Sequence, residues 1–196
     1  MLNPTENPWR LFDEWYALAR PLGEQTADAM ALATATPNGR PSVRTVLFRG
    51  IVRDGVAFYT NYESRKGLEL AANPWAALNF YWQSLGRQVR IEGSVSRLTR
   101  AESEAYFNGR PKESQISAWA SPQSCVIGSR EELEARVSKV GERFKSGGTV
   151  PCPEFWGGFH VEPTAFEFWL EGSGRLHQRV RYERHNGAWT RALLGP

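Results

Sequence analysis

The side chains in this sequence whose types and spacing could do chemistry are clustered cations. Arg175, His177, Arg179 and Arg181 recur at every second position of "RLHQRVRYER". In a β-strand they would share one face, and such a row repels itself unless an anion or solvent lies against it. Trp169 ends the preceding apolar run, so an indole, a guanidinium fork and an imidazole would suit a planar anionic ligand. A solvated barrel face is the plainer alternative. Arg65 and Lys66 fall in the first turn expected of a helix, where cations oppose the helix dipole. An anion on the free N–H groups would reverse that penalty; two solvated charges would also account for them. In "YFNGRPKESQ", Gly109 ends one expected helix, Arg110 is held extended before Pro111, and Ser114 lies in the first turn of the next. With Tyr106 close by, a hydroxyl, helix N–H groups and a guanidinium converge in a way that suits a phosphate monoester, although a helix corner with a capping serine reads the same. Arg44 and Arg49, five apart in "RTVLFRG", face opposite sides of one strand unless a bulge intervenes.

These residues need a scaffold, and the pattern supplies mostly strands. Pro8 is placed to open a helix with Leu11, Trp15 and Leu18 at helical spacing. From about Ala29 onward strand-like runs dominate, punctuated by turn signals at "PNG", "VRDG", "QSLG" and "HNG". Ser64 reads as the N-cap of "ESRKGLELAANP", and Thr99 with Glu102 as a capping box ahead of a helix ended by Gly109. Pro111 opens another helix. A third follows, with Leu133, Val137, Val140 and Phe144 on one face. Six to eight strands with sparse peripheral helices predict a mainly β (α+β) fold, a closed or nearly closed antiparallel barrel forming one domain over residues 1–196.

Composition narrows the ligand. A net charge of +3 on 196 residues is small for a non-specific nucleic-acid binder. The cations matter by clustering, which points to a small, strongly charged ligand. There is no Walker loop, and "GSG" at 172–174 precedes a strand rather than a helix. His160, His177 and His185 have no metal-ligand spacing with one another or with Cys125 and Cys152. No signal peptide and no membrane-length apolar run is evident, so the expectation is a cytoplasmic protein with neither membrane nor nucleic acid as partner.

The segments "RTVLFRG", "FYTNYESRKGLEL", "LNFYW", "RQVRIEG", "YFNGRPKESQISAWASPQS", "FWGGF", "FEFWLEG" and "RLHQR", in this order, resemble the pyridoxine/pyridoxamine 5′-phosphate oxidase family from about Ala29 to Arg184. The resemblance implies a split-barrel flavoprotein, a homodimer with FMN at the subunit interface. It implies oxidation of pyridoxamine or pyridoxine 5′-phosphate to pyridoxal 5′-phosphate, with oxygen as electron acceptor and hydrogen peroxide as product. By motif match, Arg44, Thr45, Val46, Leu47, Arg49, Tyr59, Thr60, Arg65, Lys66, Gln88, Gln123, Ser124, Trp169 and Arg179 would hold FMN, with Arg65 and Lys66 on its phosphate. Arg49, Tyr106, Arg110 and Ser114 would hold the substrate phosphate. Arg175 and His177 would close over the pyridine ring and are the catalytic candidates, while Arg181 is left to solvent. The proton acceptor, His177 or water, stays open.

The sequence also departs from the family. Arg49 stands where lysine is usual, and a forked guanidinium changes phosphate geometry. Gln178 replaces an acid and, on the alternation, points away from the substrate face. The Arg-Arg-Glu-Tyr motif of some members is missing, and the tail reads "RALLGP". Two other readings stand beside the oxidase. One is a split-barrel FMN oxidase acting on another ring system of the phenazine type, which would not need the phosphate pocket of Tyr106, Arg110 and Ser114. The other is a non-catalytic module binding FMN or pyridoxal phosphate, which would hold flavin but never reduce it with substrate.

Overall fold

The computed structural model describes residues 2–145 and 148–196. Helix α1 (Pro8–Ala19) opens on a proline whose missing N–H costs no hydrogen bond, and the Asn7 side chain accepts from Trp9 N–H. It buries Leu11, Phe12, Trp15 and Ala19. Leu18, expected on that face, is half exposed, because the buried stripe centres on Phe12 and Trp15 and leaves Leu18 at its flank. A one-turn helix, α2 (Glu24–Ala27), follows without a clear sequence signal.

Strands β1 (Ala29–Ala35), β2 (Pro41–Leu47), β3 (Ile51–Val52) and β4 (Gly55–Asn61) come next, then α3 (Arg65–Ala72), β5 (Trp75–Trp82) and β6 (Arg87–Arg97). Helices α4 (Arg100–Asn108), α5 (Lys112–Ala120) and α6 (Arg130–Arg143) precede β7 (Trp156–Leu170), β8 (Gln178–His185) and β9 (Ala188–Leu194). The ladders are antiparallel in the order β2-β1-β5-β6-β7-β4-β3, with β8 on β7 and β9 on β8. The path does not close as a ladder. Instead the segment after β2 meets β4, where Arg49 N–H donates to Ala57 O and Ala57 N–H to Gly50 O.

The core fills the curled sheet with Phe12, Phe58, Phe80, Trp82, Phe166 and Phe168, all essentially inaccessible. Trp82 Nε1 donates to Ala27 O at 3.1 Å, so its polar edge is satisfied where α2 enters β1. The expected caps form: Ser64 Oγ receives Gly67 N–H, and Thr99 and Glu102 make a complete capping box. Gly109 does end α4, but at φ −78°, so its left-handed freedom is unused. The α6 face of Leu133, Val137, Val140 and Phe144 is only half-buried.

One expectation fails. The strand predicted from Arg175 begins at Gln178; residues 173–175 form a single 3₁₀ turn with Arg175 at φ +62°. Gly172 and Gly174 allow the reversal, and Leu176 N–H closes it on Ser173 O. Only Arg179 and Arg181 of the cationic row therefore lie on a strand.

The antiparallel ladder of β6 and β7 carries a bulge at Glu92 and Gly93, where Glu92 faces Ala165 and Gly93 faces Pro163. A Cβ on Gly93 would lie 2.0 Å from Glu162 O and 2.7 Å from its carbonyl carbon. All the atoms it would meet are backbone of Glu162 and Pro163, which leaves nothing flexible to yield. Gly93→Ala is expected to destabilise the protein by about 2–3 kcal/mol, an overpacking cost, measured as a lowered midpoint in urea unfolding.

Candidate functional site

A cavity of about 990 Å³ opens between β2, β4 and the α4–α5 corner, large enough for a drug-sized ligand. Of the residues singled out in the sequence, Thr45, Val46, Leu47, Arg49, Tyr59, Thr60, Lys66, Tyr106, Arg110, Ser114 and Gln123 line it. Segments far apart in sequence thus meet at one wall.

Lys66 sits in the first turn of α3 and is buried. Its Nζ donates to Thr60 Oγ1 (3.1 Å), Ser64 Oγ (3.1 Å) and Gln123 Oε1 (2.8 Å). All three acceptors are neutral. Burial, with a smaller contribution from the Arg44 charge, pulls the ammonium pKa down to about 8. Gln123 is presented by a tight turn in which Ser124 takes φ +71°, and it also accepts from Thr60 Oγ1 at 3.0 Å.

At the other wall Arg110 N–H bonds Phe107 O, and Gln115 Nε2 donates to Phe107 O at 2.9 Å, which locks the α4–α5 corner. Tyr106 stacks on Tyr59 at 3.8 Å and 7°, and Trp156 lies nearly parallel to both. Burial raises the Tyr59 pKa, helped by neighbouring Tyr106. Arg49 lies past the end of β2 and donates to Asp28 Oδ2 at 2.8 Å; Asp28 also accepts the Tyr16 hydroxyl at 2.6 Å. Burial and that bond push Tyr16 up to about 12.

The remaining sequence candidates lie elsewhere. Arg44 points into a buried network, bonding Leu32 O, Thr34, Ser42 and Glu69. Arg65 Nε turns to Glu69 Oε1 at 2.9 Å. Burial alone would raise the Glu69 pKa, but bonds from Ser42, Thr34 and Arg65 outweigh it and hold the carboxyl down to about 2. Ser124 does not line the cavity either. Gln88, Trp169 and Arg179 form a cross-strand row over β6, β7 and β8, with the His177 ring 4.6 Å from Trp169 and Arg175 on the adjoining turn. This second cluster is away from the cavity lining: the path along β7 from Trp156 to Trp169 is roughly 40 Å at strand rise.

The supposed self-repelling row proves to be neutralised from neighbouring strands. Arg179 makes a two-pronged bond to Glu167 Oε1 (3.0 and 2.8 Å), and Arg90 also reaches Glu167. Arg181, expected in solvent, pairs with Glu183 at 2.9 Å and Glu92 at 3.3 Å. Gln178 accepts the Leu2 N–H at 2.8 Å, so its role is to fasten the N-terminal segment. Sequence reasoning missed Gln25, Ala105 and Trp156 in the cavity. Trp156 carried a signal, standing beside the paired glycines of "FWGGF", whereas Gln25 carried none.

The curled antiparallel sheet with a cationic cavity at its helical corner makes this a split-barrel protein. A solved split barrel from Nostoc punctiforme, described as a pyridoxamine 5′-phosphate oxidase-related, FMN binding protein, shares the fold with a TM-score of 0.77 at 20% identity, over 98% of this chain and 100% of that one. The family profile described as Pyridoxamine 5′-phosphate oxidase matches residues 23–144, and that of the Pyridoxine 5′-phosphate oxidase C-terminal dimerisation region matches 156–196. The chain belongs to the pyridoxamine 5′-phosphate oxidase family. It is 50% identical over 192 residues to the pyridoxine/pyridoxamine 5′-phosphate oxidase of Sphingopyxis alaskensis, covering 98% of this chain and 88% of that protein. It is also 50% identical to that of Rubrobacter xylanophilus, over 97% and 87%. The solved PhzG of Burkholderia lata, in complex with tetrahydrophenazine-1-carboxylic acid, superposes with a TM-score of 0.91 at 36% identity, covering 99% and 95%.

Lys66 binds an anion only while protonated. Relative to a Lys66→Met variant, which cancels the ligand's own titration, phosphate affinity of the ligand-free protein is expected to fall as pH rises through about 8, where this ammonium titrates. Titration calorimetry of both proteins with inorganic phosphate checks this.

Proposed function

We propose that this protein is an FMN-dependent oxidase converting pyridoxamine or pyridoxine 5′-phosphate to pyridoxal 5′-phosphate, with oxygen as electron acceptor and hydrogen peroxide as product. The observation that carries the reading is a single cavity with two separate cations that no carboxylate neutralises among the described residues. Lys66 is bonded only to neutral oxygens, and Arg110 Nη1 is buried with no hydrogen-bond partner. Two buried donors of this kind fit two phosphate groups, one on a cofactor and one on a substrate.

FMN fits the first donor set. Lys66, Thr60 and Gln123 would take its phosphate, with Thr45, Val46, Leu47 and Tyr59 along its length. The chemistry it supplies when bound is two-electron oxidation at carbon, with oxygen restoring the oxidised form. Arg110, Ser114 and Tyr106 would hold the substrate phosphate, with Arg49 fixed beside them by Asp28. Holding that group positions the ring and its reactive carbon, which is the larger part of what the protein contributes.

The second cluster completes the site from another copy. Gln88, Trp169, Arg175, His177 and Arg179 lie on or beside the far end of β7 and do not line the cavity of their own chain, so Arg175 and His177 of the partner subunit would cover the pyridine ring. The outer sheet face supports such a dimer. It exposes Val43, Trp75 and Tyr81, and it leaves Asn79 Oδ1 and Arg90 Nε buried but unbonded. The match of residues 156–196 to a dimerisation region supports it as well.

A second reading has one observation in its favour, the close superposition on PhzG with its phenazine carboxylate. Arg110 could pair with a ring carboxylate, but a second phosphate-type donor set is then superfluous.

Flavin-loaded protein mixed with pyridoxamine 5′-phosphate without oxygen should lose its visible flavin absorbance and recover it in air, with pyridoxal 5′-phosphate formed. Flavin that stays oxidised with both phosphorylated vitamers but bleaches with tetrahydrophenazine-1-carboxylic acid would transfer the function to the second reading. Arg110→Ala should raise KM about tenfold or more, the loss expected of a charge-assisted bond, with flavin retained. Sedimentation should give twice the chain mass; a flavin-loaded single chain that turns over would sink the composite site.

A further inference from the structure

Arg110 is unlike the other arginines near the cavity. Arg49 is paired with Asp28, while Arg44 and Arg65 are paired with Glu69. Arg110 is half-buried, and no carboxylate or carbonyl accepts a bond from its guanidinium among the described residues. A cation taken from water without a counter-ion is costly, so something else must hold it. Its central carbon lies 4.7 Å from the centroid of the Trp156 indole and 5.7 Å from that of Phe107, within the range where a ring face attracts a guanidinium.

The indole is itself held rigidly. It begins β7, is 6% exposed, packs edge-on against Phe107 at 5.1 Å, and lies within 14° of parallel to Tyr59 and Tyr106. Its neighbour must be glycine, since a Cβ on Gly157 would lie 2.0 Å from the Tyr62 hydroxyl and 2.7 Å from Ser103 Oγ. Those two side chains bond Gly158, Tyr62 through its carbonyl and Ser103 through its N–H, and so fix the start of the strand.

We propose that Trp156 is a positioning residue for substrate: its ring face holds Arg110 in place of a carboxylate, so that the guanidinium keeps both its charge and its N–H donors for the phosphate of the ligand. A carboxylate would anchor the arginine equally well but would neutralise it and occupy the donors. A π face attracts the cation while claiming no N–H. Trp156 touches the arginine rather than the reacting atoms, and this assignment rests on the phosphorylated-substrate reading given above.

The test uses the FMN-loaded protein, in which a bound cofactor phosphate leaves the Arg110 corner as the remaining anion site. Trp156→Leu and Trp156→Phe are each titrated with inorganic phosphate by calorimetry and assayed with pyridoxamine 5′-phosphate. Trp156→Leu should weaken phosphate binding about tenfold, between the values for an exposed and a fully desolvated cation–π contact. KM should rise in parallel while kcat stays within about threefold. Trp156→Phe, which keeps a π face, should recover most of the loss. In an Arg110→Ala background, Trp156→Leu should have no further effect on either quantity, since the two act as one unit.

Unchanged phosphate affinity in Trp156→Leu, or full additivity with Arg110→Ala, would overturn the proposal. So would a wild-type protein that binds no phosphate. Should Trp156→Leu fail to fold, Trp156→Met, which also lacks a π face, decides: a loss approaching tenfold supports the assignment and none removes it. Phosphate that binds with this dependence on Trp156, in a protein that does not oxidise pyridoxamine 5′-phosphate, would retain the assignment and reject the oxidase.

Discussion

Strand β7 pairs along nearly its whole length with β6, but divides its other edge between β4 and β8. The rest of the molecule follows from that division. The first half places Trp156 against β4, so that Tyr59 and Thr60 meet the α4–α5 corner and a cavity forms. The second half turns Glu167 and Trp169 to the outer face beside β8. A strand bonded on both edges cannot slide without breaking two ladders, which makes the separation of the two clusters rigid. The bulge at Glu92/Gly93 lets one strand serve both neighbours.

Within this frame the distribution of carboxylates decides which cations are available. Glu69 engages Arg44 and Arg65, Asp28 engages Arg49, and Glu167 engages Arg90 and Arg179. Lys66 and Arg110 are left with neutral or aromatic neighbours. A paired arginine is a framework element that can still offer a spare donor. An unpaired buried cation is poorly solvated and so gains most from an incoming anion. Asp28 also gives the forked guanidinium of Arg49 an acceptor beside it.

Much of the fold was legible in local sequence. The caps at Ser64 and Thr99, the corner at Gly109 and Pro111, and the left-handed turn at Asn186 and Gly187 rest on interactions within a few residues. Alternation gave most strands correctly, because a half-buried strand must alternate. It misled at Arg175, since a run of cations and apolar residues keeps the same period whether or not the backbone is extended. Gly172 and Gly174 there permit a turn that the side-chain pattern does not record.

By itself, then, the sequence determined which residue types and which local elements were available: the cations, the helix starts beside two of them, the strands, and through its ordered motifs the family. The tertiary structure alone decided what each cation faces. Arg181 and Glu92, or Arg100 and the Cys152 carbonyl, are remote in the chain and meet only through sheet register and the return of β7. Charge pairing depends on separations of a few ångströms between such remote groups, and no local periodicity carries that information. The same holds for Trp156, whose value lies in the guanidinium that folding lays across its face.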